Sequence, residues 1–250
     1  MRINRFFTDL GICSRRKADA WIEAGRVTIN GKPAVLGAQV DPNVDQVALD
    51  GKLIKPRSNE DRVYLVLHKP KGITCTTDLR DPTNIISFLS YPERIFPIGR
   101  LDKDSEGLIL LTNDGDIVNK VLRARYGHEK EYVVELDHEI TPDYLEGMRQ
   151  GVYMFGHRAR CKRIRQIGPR KVIIVLTQGL NRQIRRMSEH FGYEVVRLQR
   201  IRFMNIRLGR LPVGSYRKLT DRELTKLKTL AESRVATVDG PTDSTPSNDP

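Results

Sequence analysis

Apolar positions near the N-terminus recur at the spacing of one helical face: Ile3, Phe6, Phe7 and Leu10. Gly11 can end this helix, and Ser14 can cap a second helix that has an apolar face of its own. Short strand-like runs follow at 27–29, 47–49 and 53–54. Asn-Gly and Asp-Gly turns accompany them, as is typical of hairpins. The pattern therefore predicts a small unit of two helices and a tight β unit over residues 1–57.

A polar stretch with one proline, 55–60, separates this unit from the rest of the chain, and we place the linker at 58–61. Strand-like runs then alternate with helical patterns over 62–232, which indicates a larger α+β unit. The predicted strands are 63–68, 108–111, 132–136, 172–177, 194–198 and 204–208. The predicted helices are 83–90, 116–124, 142–150 and 182–191, with a further helix start at the capping box 220–223. From Val235 the chain is rich in Pro, Thr, Ser and Asp, so we expect a disordered tail over 233–250.

The net charge of +12 changes this picture, because it favours a polyanionic partner. Between His157 and Arg207 there are 14 Lys and Arg residues against two Glu residues. We therefore expect the partner to be a nucleic acid. No apolar run is long enough to cross a membrane, which argues against a membrane protein. The three cysteines are far apart and lack metal-ligand spacing, which favours reduced thiols and a cytoplasmic protein.

Three separated segments carry side chains that suit chemistry on a nucleotide. Loop 99–108 contains Asp102, segment 128–132 ends in Tyr132, and segment 178–187 contains an arginine cluster. An aromatic ring can stack on a base, a carboxylate can attack an electron-poor sugar carbon, and a guanidinium group can keep that carboxylate ionised. Taken alone, loop 99–108 also fits a solvated acidic turn whose charges pair locally.

Segments 14–19 and 25–31 resemble the S4-type RNA-binding domain of ribosomal proteins and RNA-modifying enzymes. The resemblance covers most of residues 1–55. It implies that basic side chains of this domain contact RNA: Arg15, Arg16, Lys17 and Arg26. The alternative is a basic helix–hairpin unit with some other partner.

The three chemical segments are similar to those of the pseudouridine synthases, specifically the RsuA-type class that modifies ribosomal RNA. The matching motifs are Gly-Arg-Leu-Asp-x-Asp-Ser-x-Gly-Leu at 99–108, Lys-Glu-Tyr at 130–132 and Asn-Arg-Gln-Ile-Arg-Arg-Met at 181–187. The resemblance runs from residue 1 to about residue 230. It implies an α+β fold in which the S4-type domain precedes a catalytic domain with a mixed, mainly antiparallel sheet flanked by helices.

The resemblance also implies roles for individual residues. Asp102 is the expected nucleophile, and Tyr132 is expected to stack on the target uracil and to take part in proton transfer. Arg185 is the expected partner of Asp102, which would lower the pKa of that carboxyl. Arg182 and Arg186 are expected to bind phosphate, although the assignment among the three arginines stays open. Arg100 is expected to act as a wedge or backbone contact when the uridine leaves its stack.

The implied reaction is the isomerisation of a uridine to pseudouridine in ribosomal RNA, with the large subunit favoured. The family needs no cofactor and no metal, and we expect none here. A monomer is expected. The alternatives are a non-catalytic RNA-binding ribosome-assembly factor, a hydrolase that cleaves the N-glycosidic bond, and a synthase that acts on another RNA such as tRNA.

Overall fold

The computed structural model describes residues 1–54, 62–122 and 127–238. The predicted linker at 58–61 lies outside these residues, as does the part of the predicted tail from residue 239 onward. Within the described ranges, no helix is long and apolar enough to cross a membrane.

The N-terminal unit packs two helices against a small antiparallel sheet, as the sequence predicts. The Ser14 side chain accepts a hydrogen bond from the Lys17 backbone N–H at 3.2 Å, so the second helix begins directly after its capping residue. Gly11, with φ of 68°, lets the chain reverse between the helices. The elements are α1 (Ile3–Asp9), α2 (Arg15–Glu23), β1 (Val27–Ile29), β2 (Lys32–Pro33), β3 (Val47–Leu49) and β4 (Lys52–Leu53), and the strand order is β2-β1-β3-β4.

The larger unit is built on a nine-stranded mixed sheet. Its elements are β5 (Tyr64–Lys69), α3 (Ile85–Leu89), β6 (Phe96–Ile98), β7 (Glu106–Thr112), α4 (Gly115–Leu122), β8 (Lys130–Leu136), α5 (Pro142–Gln150), β9 (Val152–Met154), β10 (His157–Ala159), β11 (Arg163–Gly168), β12 (Lys171–Leu176), α6 (Gln183–His190), β13 (Val195–Phe203), β14 (Ile206–Arg207), β15 (Tyr216–Lys218) and α7 (Asp221–Val238). The order is β11-β12-β8-β13-β7-β5-β15, with β14 on β13, β6 on β7, and β9–β10 as a separate hairpin. The β13–β7 pair is parallel and the other described pairs are antiparallel, which confirms the predicted mixed sheet.

Helices cover both faces of the sheet at β7, which explains why this strand is apolar without alternation. Leu108 and Leu110 pack in the cluster that includes residues of α4 and α7. Ile109 and Leu111 pack in the cluster that includes residues of α5 and α6. The loop before β7 is therefore attached to a strand that is buried along its whole length.

Two predicted boundaries differ from the structure. The predicted strands 194–198 and 204–208 are instead one long strand, β13, followed by the two-residue β14. Two arginines of β13 are paired across the sheet: Arg197 with Glu106, and Arg202 with Glu131 and Glu129. Helix α7 also extends six residues past position 232, because no Gly or Pro occurs before Gly240.

The two units meet where the turn after β7 contacts α1 and the residues that follow it. The Arg94 guanidinium donates to the Gly11 carbonyl at 2.9 Å, and Arg5 pairs with Asp116 at 3.3 Å. A Cβ atom on Gly115 would lie 2.6 Å from the Thr8 carbonyl oxygen. The absence of a side chain at Gly115 is therefore what permits the close backbone contact between the units.

Gly115→Ala should lower the free energy of unfolding by about 1–3 kcal/mol, because the new methyl group would overlap the Thr8 backbone. Helix propensity alone predicts the opposite sign, since Ala is the better helix former at the start of α4. Urea unfolding measures the difference. Gly168→Ala, whose Cβ would have an ordinary 3.7 Å contact with Lys171, is the control. A Gly115→Ala protein as stable as the parent would contradict the contact.

Candidate active site

A single open cavity of about 950 Å³ brings the three chemical segments together. Asp102 comes from the loop before β7, Tyr132 from β8, and Arg182 from the turn between β12 and α6. Segment 74–77 forms a further part of the wall. Residues 30 to 80 positions apart in the chain therefore share one chamber, which local sequence patterns do not reveal.

The Asp102 backbone is held by its own loop and by the segment after β5. The Ser105 N–H donates to the Asp102 carbonyl at 3.1 Å, and the Gly72 N–H donates to the Lys103 carbonyl at 2.8 Å. The Leu101 N–H donates to the Cys75 sulfur at 3.3 Å. The Asp102 side chain itself is half-buried and accepts no hydrogen bond from the described residues. Its carboxylate is therefore free to meet a ligand in the cavity.

Two arginines of the 178–187 segment bind Asp104 rather than Asp102. Arg182 Nη1 lies 2.9 Å from Asp104 Oδ2, and Arg185 Nε lies 3.3 Å from the same oxygen. Burial opposes ionisation of Asp104, but the hydrogen bond from Arg182 and the charge of Arg185 outweigh it and hold the pKa of Asp104 below its usual value. The contact joins the loop before β7 to α6.

The expected Arg185–Asp102 pair is therefore not formed. Arg185 is buried beneath the loop, where Nη1 donates to the Val195 carbonyl at 2.7 Å and Nη2 to the Asp104 carbonyl at 3.2 Å. These contacts hold the guanidinium against Asp104 and Val195 rather than against Asp102. Asp102 instead acts through space on Arg182, whose pKa is raised first by the hydrogen bond to Asp104 and then by the charges of both carboxylates.

Arg182 adopts a left-handed backbone conformation, with φ of 49° and ψ of 34°, at the residue before α6. A residue with a side chain occupies this region at a cost of about 1 kcal/mol or more, and such residues cluster at functional sites. In this conformation the chain turns into α6 while the side chain reaches Asp104.

The remaining candidate residues are divided between the cavity and other surfaces. Tyr132 is buried and forms part of the cavity wall, and Arg100 is exposed at the same cavity. Arg186 lies outside it, with its guanidinium carbon 4.8 Å from the Phe155 ring centroid. The candidates in the N-terminal unit lie outside the cavity too and are exposed on or beside α2: Arg15, Arg16, Lys17 and Arg26. Among them, Arg26 forms two hydrogen bonds with Asp50, at 2.9 and 2.5 Å.

Two buried cations and a half-buried one that were not predicted lie at or near the cavity. Lys69 is fully buried and donates to the Pro70 and Ile73 carbonyls at 2.9 and 2.7 Å. Burial, and then the charge of Arg200, lower the pKa of Lys130 to about 8. Arg200 is 3% exposed. The sequence could have indicated Lys130 as a cavity residue, because it precedes Tyr132 by two residues and lies on the same strand face. Lys69 and Arg200 lie in strands with mostly apolar residues and carry no such signal.

The charged groups in this cavity are mostly cationic. Asp102 is the carboxylate in its wall, against five Lys and Arg side chains: Arg100, Lys103, Lys130, Arg182 and Arg200. Within the described residues, no group of three His, Cys, Asp or Glu side chains could hold a metal ion. The arrangement fits an anionic ligand whose reacting centre lies beside one carboxylate and the Tyr132 ring.

Comparisons with known proteins point to one family. A family model described as RNA pseudouridylate synthase matches residues 63–190, and the S4 domain model matches residues 1–45. The dual-specificity RNA pseudouridine synthase RluF of Escherichia coli strain K12 is 51% identical over 93% of this chain and 80% of its own. The ribosomal large subunit pseudouridine synthase B of Bacillus subtilis strain 168 is 35% identical over 92% of this chain and 97% of its own. A crystal structure of a pseudouridylate synthase is similar with a TM-score of 0.66 and 28% identity, over 91% of this chain and 99% of that one.

Lys130→Met should stabilise the protein by about 2 kcal/mol at pH 7, because it removes an ammonium group whose pKa burial holds near 8. The pKa of Lys130 in the folded protein lies below the usual 10.5. The loss of folding stability caused by its charged ammonium is therefore fully present below pH 8 and disappears as the pH rises to 10.5. Urea unfolding of parent and variant between pH 7 and 10.5 tests the sign. A stability difference that does not shrink over this window would contradict it.

Proposed function

The chain belongs to the RNA pseudouridylate synthase family, and we propose that its substrate is a uridine in large-subunit ribosomal RNA. The name of the Bacillus subtilis relative, which refers to the large ribosomal subunit, supports this choice. The Escherichia coli relative is named as dual-specificity, which favours a second RNA substrate, and tRNA is our candidate for it. We further propose that the protein works as a cytoplasmic monomer, since both its RNA-binding domain and its cavity lie in one chain.

The observation that carries the proposal is an unpaired carboxylate beside an aromatic ring in a cationic chamber. Asp102 has no hydrogen-bond donor among the described residues, because Asp104 engages the two nearby arginines. A carboxylate in this state is an available nucleophile. Tyr132 offers a ring on which a flipped uracil can stack.

The reaction moves the bond between ribose C1′ and uracil from N1 to C5. In one route Asp102 attacks C1′, the C1′–N1 bond breaks, and its electron pair passes to the uracil ring. In the other route Asp102 attacks C6 of the ring, and the C5–C6 π electrons pass towards O4. In this second route the C1′–N1 bond breaks after the addition. After the base rotates, C1′ bonds to C5, and the bond between Asp102 and C1′ or C6 breaks to restore the free carboxylate. The proton on C5 is then lost while N1 gains one. Product and substrate contain the same atoms, so the proposed reaction needs no co-reactant.

Binding and base extraction fall to the cations around the cavity and on the N-terminal domain. Extracting a uridine from folded RNA costs about a few kcal/mol, which phosphate contacts must offset. Arg100 and Arg182 are partly exposed at the cavity and suit phosphates next to the target nucleotide. Arg15, Arg16 and Lys17 lie exposed in the first turn of α2 and suit contacts with RNA further away.

Asp102→Asn should abolish pseudouridine formation and leave the affinity for RNA within about threefold, because the amide is not a nucleophile but has nearly the same shape. Pseudouridines are mapped in ribosomal RNA after incubation with parent or variant, and RNA affinity is measured separately. Asp143→Asn, at an exposed position in α5, is the matched control and should keep full activity. Continued turnover by Asp102→Asn would remove Asp102 from the proposed role. Free uracil instead of pseudouridine as the parent's product would identify a hydrolase, and RNA binding without a product would identify an assembly factor.

Replacing Arg15, Arg16 and Lys17 together by Gln should weaken RNA binding about 10–100-fold at moderate salt and reduce the dependence of the affinity on salt, because phosphate contacts release counterions. Affinity for a ribosomal RNA fragment is measured from 50 to 200 mM salt. The rate of the bound complex should change little, since these residues lie outside the cavity. An unchanged salt slope would exclude this surface as a phosphate contact.

A further inference from the structure

Arg200 is a buried cation with an unused donor. It lies on β13 and is 3% exposed. Its Nε donates to the Leu108 carbonyl at 2.7 Å, and its guanidinium carbon lies 5.5 Å from the Phe203 ring centroid. Its Nη2 has no hydrogen-bond partner among the described residues. A buried charged donor left without a partner is unfavourable, so its presence in the cavity wall points to a partner that arrives with the ligand.

The position of Arg200 is fixed by the sheet on both sides. In β8 its register partner is Tyr132, the aromatic wall of the cavity. In β7 its register partner is Gly107, where a Cβ atom would lie 2.6 Å from the Arg200 backbone nitrogen. Gly107 also has φ of 109°, which disfavours any other residue. The guanidinium is therefore held in the cavity wall beside Tyr132.

A second arginine on the same strand shows what a structural arginine looks like here. Arg202 Nε binds Glu131 at 2.6 Å, its Nη2 binds Glu129 at 3.0 Å, and its Nη1 donates to the Met204 carbonyl at 2.8 Å. Arg202 does not line the cavity. The described residues thus provide two carboxylates for Arg202 but none for Arg200, and they place the cation Lys130 close enough to Arg200 for the two to repel.

These contacts define a place for negative charge deep in the cavity. We propose that Arg200 is a further catalytic residue, whose Nη2 donates to a carbonyl oxygen of the target uracil and stabilises the negative charge that develops on the ring. The proposal rests on the proposed function. Phosphates are charged and hydrated, and they are better met by the exposed Arg100 and the partly exposed Arg182, whereas a flat base can reach a residue as buried as Arg200.

The role holds for both routes of attack by Asp102. When Asp102 attacks C1′, the electron pair of the broken C1′–N1 bond spreads over N1, O2 and O4. When Asp102 attacks C6, the electrons of the C5–C6 bond spread to O4. A fixed cation beside the ring stabilises either anion more than the neutral uracil, and this difference accelerates the reaction.

The test compares Arg200→Gln with the parent on a ribosomal RNA fragment that the parent modifies, transcribed with either uridine or 5-fluorouridine. The measured rate is that of cleavage of the target C1′–N1 bond, because C5 of 5-fluorouridine carries fluorine and has no proton to lose in the final step. Fluorine withdraws electrons and stabilises the ring anion by itself, so the reaction should depend less on Arg200. We expect Arg200→Gln to lower the single-turnover rate about 100-fold or more on the uridine RNA. On the 5-fluorouridine RNA the same substitution should lower the rate by a factor that is at least about ten times smaller. Comparing rates within each RNA cancels effects of the fluorine on binding and on other steps.

Arg202→Gln is the matched control for the loss of a buried arginine from the same strand. It should lower the thermal stability and change the rate by the same factor on both RNAs. If Arg200→Gln lowers the rate by the same factor on both RNAs, as the loss of a phosphate contact or misfolding would, the inference is overturned. An unchanged rate also overturns it. If Arg200→Gln does not fold, Arg200→Lys keeps a cation and should lower the rate less but with the same preference for 5-fluorouridine; equal factors would again overturn the inference.

Failure of this inference is distinguishable from failure of the proposed function. If Asp102→Asn is inactive while Arg200→Gln lowers the rate by the same factor on both RNAs, the proposed synthase activity stands and the proposed role of Arg200 is wrong. If the parent modifies no uridine in ribosomal RNA or tRNA, the proposed function fails, and this inference fails with it.

Discussion

The active site depends on one short parallel contact between β7 and β13. Two register pairs make it, Glu106 with Gln199 and Gly107 with Arg200, and they join two groups of antiparallel strands into one sheet. The loop with Asp102 leads into β7, whereas Tyr132 lies on β8, beyond β13. The distance between nucleophile and aromatic wall is therefore set by how closely β7 and β13 approach, and a glycine is required at that approach.

The second constraint is the distribution of charge. Asp104 binds Arg182 and Arg185, so the carboxylate two residues earlier has no donor within the described ranges. Glu129 and Glu131 bind Arg202, so the arginine two residues before it has no counter-ion in the part of the chain that the structure describes. Both unpaired groups line the same cavity. A buried charge without a partner lowers the folding stability, but such groups are the ones available to act on a ligand.

Much of the local structure follows from short-range patterns. Ser14 caps α2, Thr141 accepts from the Tyr144 N–H and is followed by Pro142 at the start of α5, and the Thr220–Glu223 capping box begins α7. These signals act over one helical turn, so the sequence displays them directly. The hydrophobic pattern predicts two strands, 194–198 and 204–208, where the structure has the long strand β13, whose Arg197 and Arg202 are paired. Their partners lie on β7 and β8, far away in the chain, and hydrophobic periodicity carries no information about them.

The sequence by itself determined the two units, the α+β fold and the three motifs that bring Asp102, Tyr132 and the arginine cluster to attention. These follow from periodicity, capping and residue order. Only the tertiary structure decided that Arg185 pairs with Asp104 rather than Asp102, and that Arg200 lies at the cavity with an open donor. The physical reason is that a charge is paired or unpaired according to which strands are neighbours, and the order of strands in this sheet joins residues that are about 70 to 90 positions apart.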